Sequence, residues 1–121
     1  MRAYYINGET DEHGPIDIEP KLDEYYRLIH CDCITIVVRE VDGHPYNIVL
    51  DDEGLLKPNR ISAMGIRSGE RLCGSMLIFG EHENSCDMRS LTDDEIWQIR
   101  RRIIMGLFND GSEHPTFWYT R

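Results

Sequence analysis

The stretch that decides the fold is residues 34–50, which read ITIVVREVDGHPYNIVL. Two apolar runs, 34–38 and 46–50, are rich in the β-branched residues that favour strands. Between them lies Asp42-Gly43, a dipeptide typical of the tight turn that joins antiparallel strands. The stretch therefore predicts a β-hairpin, and it is the strongest strand signal in the chain.

Further strands are predicted on both sides of this hairpin. Upstream, residues 3–6 and the alternating residues 16–18 indicate a first hairpin, with a turn at residues 7–8 and its second strand at a sheet edge. Downstream, residues 71–80 predict another strand, in which a glycine marks a bulge. The aromatic tail, residues 116–119, is expected either to add a strand or to dock loosely.

Two helices are predicted from apolar stripes at helical spacing. The first begins with Pro20 in its first turn and ends near His30. Its stripe consists of Leu22, Tyr25, Tyr26 and Ile29. The second has Thr92 as its N-cap and Glu95 as the partner in a capping box, and it is expected to continue to about residue 108. Its stripe consists of Ile96, Ile99, Ile103 and Leu107.

The order of these elements indicates the fold class. Residues 55–65 predict a short irregular or helical piece, and residues 81–90 predict a polar loop. The strongest strands are joined by short turns, which favours antiparallel over parallel pairing. We therefore expect one α+β domain, residues 1–121, with an antiparallel or mixed sheet of about five strands and both helices against one face.

Composition excludes several classes of protein. The chain has 121 residues, of which 40% are hydrophobic and 29% are charged, so it is expected to fold. It contains no apolar run long enough to cross a membrane and opens without a signal-like stretch, which predicts a cytoplasmic location. Its net charge of −9 repels phosphate backbones, so we expect attraction to basic proteins and no direct binding to nucleic acid.

The cysteines include one cluster that resembles a metal site. His30, Cys31 and Cys33 lie close together in the chain, and His44 or Cys73 are further candidates for a tetrahedral zinc site. Cys-x-Cys on a strand is a weaker signal than a Cys-x-x-Cys knuckle, and no second pair accompanies it. We predict reduced thiols and no metal or cofactor.

Two polar groups are the candidate partner-binding residues. The first 24 residues carry seven acidic side chains against two basic ones, and the candidates among them are Glu9, Asp11, Glu12 and Asp17. The second group is Asn59 and Arg60, which follow Pro58. Turn chemistry accounts for this pair simply, and the alternative is a polar contact in a ligand or partner site.

Several segments occur in an order that resembles the family catalogued as Domain of Unknown Function 3846. They are the hairpin 34–50, Asp52-Glu53-Gly54, Leu56-Lys57-Pro58-Asn59-Arg60, the strand ending at 74–80, and Ser90-Leu91-Thr92-Asp93-Asp94-Glu95. The resemblance covers roughly residues 20–105 and leaves out the acidic opening and the aromatic tail. It implies a small protein of bacteria, phages or mobile elements, and it implies no catalytic residues.

The function expected from the sequence is therefore non-catalytic. No nucleophile elbow, phosphate-binding glycine loop or zincin helix is present, so we do not expect an enzyme. The first hypothesis is an acidic protein-interaction domain of a phage or mobile element that binds a host protein, with carboxylates entering a basic groove that handles nucleic acid. The alternative is a regulatory module that binds a small molecule or a metal. Trp118 and Tyr119 suggest a contact with a neighbouring chain, which leaves an oligomer open.

Overall fold

A computed structural model describes residues 1–81 and 88–121 of the chain. The elements in chain order are β1 (Arg2–Ile6), β2 (His13–Asp17), α1 (Leu22–Ile29), β3 (Ile34–Val41), β4 (His44–Asp51), a 3-10 turn (Gly54–Leu56), β5 (Ile61–Gly65), β6 (Arg71–Cys73), β7 (Met76–Glu81), β8 (Met88–Arg89), α2 (Asp93–Arg101), β9 (Ile103–Leu107) and β10 (Glu113–Tyr119). This mixture of strands and helices confirms the predicted α+β class.

The first sheet contains the hairpin that the sequence predicted. In the described part of the chain its strand order is β2-β1-β7-β4-β3, and β8 pairs with the C-terminal end of β7. Strands β3 and β4 pair in antiparallel register from Ile34 with Asp51 to Val41 with His44. Asp42 and Gly43 both have positive φ angles, 51° and 85°, as a two-residue hairpin turn requires. Strand β2 lies at the sheet edge, as expected.

A second sheet was not predicted. Its order in the described residues is β6-β5-β10-β9, so the single sheet of about five strands is wrong. Strand β10 runs antiparallel to β9 and parallel to β5. The tail therefore does not dock loosely: Trp118 and Tyr119 pair with Met64 and Gly65 inside the same chain.

The second helix is shorter than its apolar stripe indicated. Its capping box is present, but α2 ends at Arg101, and Ile103–Leu107 form β9. Ile103 still packs against the core and pairs with Phe117 of β10. A buried isoleucine is compatible with either a helix or a strand, so its burial does not distinguish the two. Pairing with the distant strand β10 is what places Ile103 in a strand.

Residues 71–80 form two strands instead of one bulged strand. Gly74, with φ of +87°, separates β6 from β7, and these strands belong to different sheets. The piece at 55–65 also differs from the prediction, because its second half is β5. The predicted loop at 81–90 falls largely on residues 82–87, outside the described residues. The prediction is wrong at Glu81, which ends β7, and at Met88–Arg89, which form β8.

The first sheet separates two hydrophobic cores, because successive side chains along each strand point to opposite faces of the sheet. Ala3, Leu77 and Val49 face α1, whereas their neighbours Tyr4 and Ile78 face α2 and the second sheet. The helices therefore lie on opposite faces of the first sheet, not together on one face. Helix α1 ends near His30 as predicted: its last residue is Ile29, and His30 caps it in the left-handed conformation, but Pro20 lies outside it. No helix in the described residues is long and apolar enough to cross a membrane.

Candidate functional site

A cleft of about 500 Å³ lies beside the second sheet. One wall is the segment 55–61, which leads from the 3-10 turn into β5. The other wall is the segment 108–114, which contains the turn between β9 and β10. Arg71 and Cys73 of β6 complete the lining. The cleft thus depends on three separate segments of the chain, of which 108–114 is distant from the other two in sequence.

The charges in this cleft oppose the charge of the whole protein. Lys57, Arg60 and Arg71 line it against a single carboxylate, Asp110, although the chain carries a net charge of −9. Among residues 1–81 and 88–121, Arg71 makes no ion pair. We refer to this site as the basic cleft.

The segment that carries Asn59 and Arg60 is hydrogen-bonded to Gly74, where the chain passes from β6 in the second sheet to β7 in the first. The Asn59 side-chain amide donates a hydrogen bond to the carbonyl oxygen of Gly54 at 3.2 Å, and Gly74 N donates to the Arg60 carbonyl oxygen at 2.9 Å. A Cβ atom at Gly74 would lie 3.3 Å from the Asn59 amide nitrogen. Asn59 therefore has the turn-closing role expected of it, and it holds Arg60 at the rim of the cleft.

Lys57 already forms an ion pair within the fold. Its Nζ lies 2.7 Å from Oδ2 of Asp51, a buried carboxylate that also accepts a hydrogen bond from Glu53 N at 2.9 Å. The hydrogen bond to Asp51 raises the pKa of Lys57. Lys57 therefore offers a ligand less uncompensated charge than Arg71, which makes no ion pair with a described residue.

The opposite wall is a closed turn with an aromatic stack. The rings of Phe108 and His114 are nearly parallel, with centroids 4.5 Å apart, and His114 Nε2 donates to the carbonyl oxygen of Ile61 at 2.6 Å. Ser112 donates to Oδ1 of Asp110 from both its backbone nitrogen and its hydroxyl, which lowers the pKa of Asp110. This wall is thus held in shape by its own hydrogen bonds.

Arg60 is bound by a residue from the other sheet. Its Nη2 lies 2.8 Å from Oδ1 of Asp11, in the loop between β1 and β2. The Arg60 side chain is 29% exposed and that of Asp11 is 67% exposed. We refer to residues 7–12 as the acidic loop, because they carry Glu9, Asp11 and Glu12.

The structure brings some of the predicted partner-binding residues together and separates others. Asn59 and Arg60 line the basic cleft, and Asp11 contacts Arg60. Glu9 and Glu12 are exposed in the acidic loop. Asp17 lies at the other end of β2, opposite Arg2, so the four acidic candidates do not form one row.

The cysteines of the suggested metal cluster do not share an environment. Cys31 is buried, whereas Cys33 and His30 are exposed, and both cysteines precede β3. Burial raises the pKa of Cys31, which favours the protonated thiol over the thiolate ligand. No group of three or more His, Cys, Asp or Glu side chains in the described residues is arranged to hold a metal ion.

Sequence reasoning missed Arg71, Phe108 and His114. Arg71 is an isolated cation in a strand, and Phe108 was assigned to the end of a helix. His114 gave no signal, because its burial and its stacking depend on β5 and on the β9–β10 turn. The convergence of these residues on Asn59 and Arg60 is a property of the second sheet.

The fold and the cleft define a two-sheet α+β domain with a basic site between a strand-entry segment and a hairpin turn. The chain belongs to the family described as Domain of unknown function (DUF3846), whose model matches residues 1–104. No curated protein and no solved structure matches the chain. The match begins earlier than the resemblance suggested and includes the acidic opening. It ends before the β9–β10 turn, so it covers one wall of the basic cleft and not the other.

Proposed function

We propose that this chain is a non-catalytic binding module that holds a small anion in the basic cleft. The observation that carries the proposal is a cleft with excess positive charge on an acidic protein, in which Arg71 makes no ion pair with any described residue. A charged cleft with low-dielectric walls concentrates ions of opposite sign. Its volume of about 500 Å³ is that of a small-molecule site.

The side chains indicate the chemical class of the ligand. Arginine presents a planar fork of donors that matches a phosphate or a carboxylate. Arg60 lines the cleft from the segment before β5, and Arg71 lines it from β6. The Phe108 ring adds an aromatic surface to the opposite wall, where the Ser112 hydroxyl donates to Asp110. A small phosphate ester or polycarboxylate fits this combination.

The reactive groups around the cleft have structural roles, which supports binding over catalysis. His114 Nε2 is engaged with the Ile61 carbonyl, and Asp110 is engaged with Ser112. Burial raises the pKa of Cys73, so its thiol stays protonated near neutral pH. A nucleophile or general base needs a side chain that is free to react, and these three are held or protonated.

The experiment is a titration of the ¹⁵N-labelled protein with inorganic phosphate, followed by NMR. We expect shift changes to concentrate at residues 57–61, 71–73 and 108–114. Arg71→Gln is expected to weaken binding by between about tenfold and about a hundredfold, because a hydrogen bond to a charged group contributes about 1.5–3 kcal/mol. Arg67→Gln is the matched control, since Arg67 is an exposed arginine outside the cleft. Equal weakening by both variants, or no saturable shifts, would contradict the proposal.

The acidic loop favours a second candidate function, binding of a host protein with a basic groove by a phage or mobile-element product. Glu9 and Glu12 are exposed, and neither forms an ion pair with a described residue. Such a contact weakens with salt, because exposed charges are screened. Capture of one basic protein from bacterial lysate should be lost in Glu9→Gln/Glu12→Gln and retained in Asp32→Asn/Glu113→Gln, a control with the same change in charge. Equal capture by both double variants would remove the acidic loop from this role.

A further inference from the structure

We infer that Asp11 is a built-in competitor for the basic cleft, a carboxylate that occupies Arg60 until an anionic ligand displaces it. The inference rests on the proposed anion-binding function and assigns a regulatory role to the acidic loop. Its basis is the contact between Asp11 Oδ1 and Arg60 Nη2 at 2.8 Å, between residues 49 positions apart. Arg60 lines the cleft, whereas Asp11 reaches it from outside.

The acidic loop does not need this contact to keep its shape. Asn7 N donates to the Glu12 carbonyl oxygen at 3.0 Å, and the Asn7 side chain accepts hydrogen bonds from the backbone nitrogens of Glu9 and Thr10. Gly8 N donates to Ser75 Oγ at 2.8 Å, which anchors the loop on the segment between β6 and β7. Release of Asp11 from Arg60 therefore requires a change of side-chain rotamer and no unfolding of the loop.

Arg60 is also held independently of Asp11. Its carbonyl oxygen accepts from Gly74 N, and its neighbour Asn59 is bonded to Gly54. The backbone that carries the Arg60 side chain at the cleft rim is therefore held without Asp11. A ligand that binds there exchanges one carboxylate partner of Arg60 for another anion.

Because the Asp11–Arg60 ion pair is partly exposed, breaking it costs little free energy. Ion pairs with an exposed partner contribute little to stability, and two-thirds of the Asp11 side chain is in solvent. A ligand that engages both Arg60 and Arg71 gains a second cation, which Asp11 does not contact in the described structure. Occupancy of the cleft then frees the Asp11 carboxylate, which adds its charge to Glu9 and Glu12 in the acidic loop.

The test compares inorganic phosphate affinities of the wild type, Asp11→Asn and Glu12→Gln at fixed pH and ionic strength. Both variants remove one negative charge from the acidic loop, but Asp11→Asn alone breaks the pair with Arg60. We expect Asp11→Asn to bind phosphate about two- to five-fold more tightly than Glu12→Gln does, the factor that corresponds to an ion pair of this exposure.

A second pair of variants separates this inference from the proposed function. The first comparison uses an Arg60→Gln background, in which Asp11 has no arginine to pair with. There, the double variants with Asp11→Asn and with Glu12→Gln should bind phosphate with equal affinity. Equal effects of Asp11→Asn and Glu12→Gln in the wild-type background, with phosphate still bound, would overturn the competitor role alone. Absence of phosphate binding in every variant would overturn the proposed function and the competitor role together.

Discussion

Arg89 donates two hydrogen bonds to the carboxylate of Glu95, from Nη1 to Oε1 at 2.6 Å and from Nη2 to Oε2 at 2.8 Å. The same carboxylate contacts His44 Nε2 at 2.6 Å and accepts from the backbone nitrogen of Thr92 at 2.9 Å. Glu95 thus completes the capping box of α2 and also joins the helix to β4 and β8. Burial alone would raise its pKa, but the hydrogen bonds from Arg89, His44 and Thr92 outweigh burial and hold the pKa of Glu95 at about 2.

This network predicts a loss of stability in acid. A glutamate in an unfolded chain has a pKa of about 4.3, above the value of about 2 in the folded protein. The stabilisation from Glu95 is therefore complete above about pH 4.3 and is lost as the pH falls through about 2. The difference corresponds to about 3 kcal/mol, measurable by urea unfolding between pH 5 and pH 2. The pH dependence should be weaker in Glu95→Gln by about that amount, and identical curves for both proteins would contradict the assignment.

Glu95→Gln should also destabilise the protein at neutral pH. The side chain of Glu95 is 6% exposed, so the substitution removes a buried carboxylate together with its paired contact to the Arg89 guanidinium. We expect a loss of about 2–3 kcal/mol in the free energy of unfolding, measured in urea at pH 7. Asp94→Asn, an exposed neighbour, should change this free energy by less than about 0.5 kcal/mol.

Gly8→Ala tests the anchor of the acidic loop. A Cβ atom at Gly8 would lie 2.4 Å from the backbone carbon of Gly74, and neither backbone yields without moving a strand end. We expect destabilisation by about 1–3 kcal/mol in thermal or urea unfolding, as for other overpacked sites. Gly14→Ala is the control, because a Cβ there meets no atom within 4 Å. An unchanged free energy of unfolding in Gly8→Ala would mean that the acidic loop does not pack against the backbone at Gly74.

Asp51→Asn tests the buried partner of Lys57. Asp51 accepts from Lys57 Nζ at 2.7 Å and from Glu53 N at 2.9 Å, and an amide replaces one of these acceptors with a donor. The expected loss is about 1–3 kcal/mol in the free energy of unfolding, because a buried polar group is left mispaired. Asp52→Asn removes the same charge from the exposed neighbouring position and should be near neutral. Equal destabilisation by both would indicate a general effect of charge.

Local signals predicted the elements whose hydrogen bonds close over short distances in the chain. The turn at Asp42-Gly43 and the capping box of Thr92 and Glu95 each involve residues within one turn or hairpin. The end of α2 was predicted wrongly, because Ile103 is apolar in either a helix or a strand. Its partner Phe117 decided the outcome, and no local pattern links the two residues.

The sequence likewise indicated some residues of the candidate site and missed others. Asn59 and Arg60 were singled out as polar residues after Pro58, and both line the basic cleft. Arg71 and His114 were missed, since each is an isolated side chain until the second sheet brings it to the cleft. The acidic opening was treated as one surface, whereas pairing of β1 with β2 places Asp17 at the far end from Asp11.

The sequence by itself determined the α+β class, the central hairpin, the start of α2 and the overall negative charge, because each depends on composition or on neighbours along the chain. The tertiary structure alone decided that there are two sheets in the described residues, that the chain changes sheet at Gly74, and that a basic cleft forms on an acidic protein. Those features depend on contacts such as β10 with β5 and Arg60 with Asp11. Contacts of that kind join segments about 50 residues apart, and their formation has to offset the entropy cost of closing a long loop, which no local pattern in the sequence reveals.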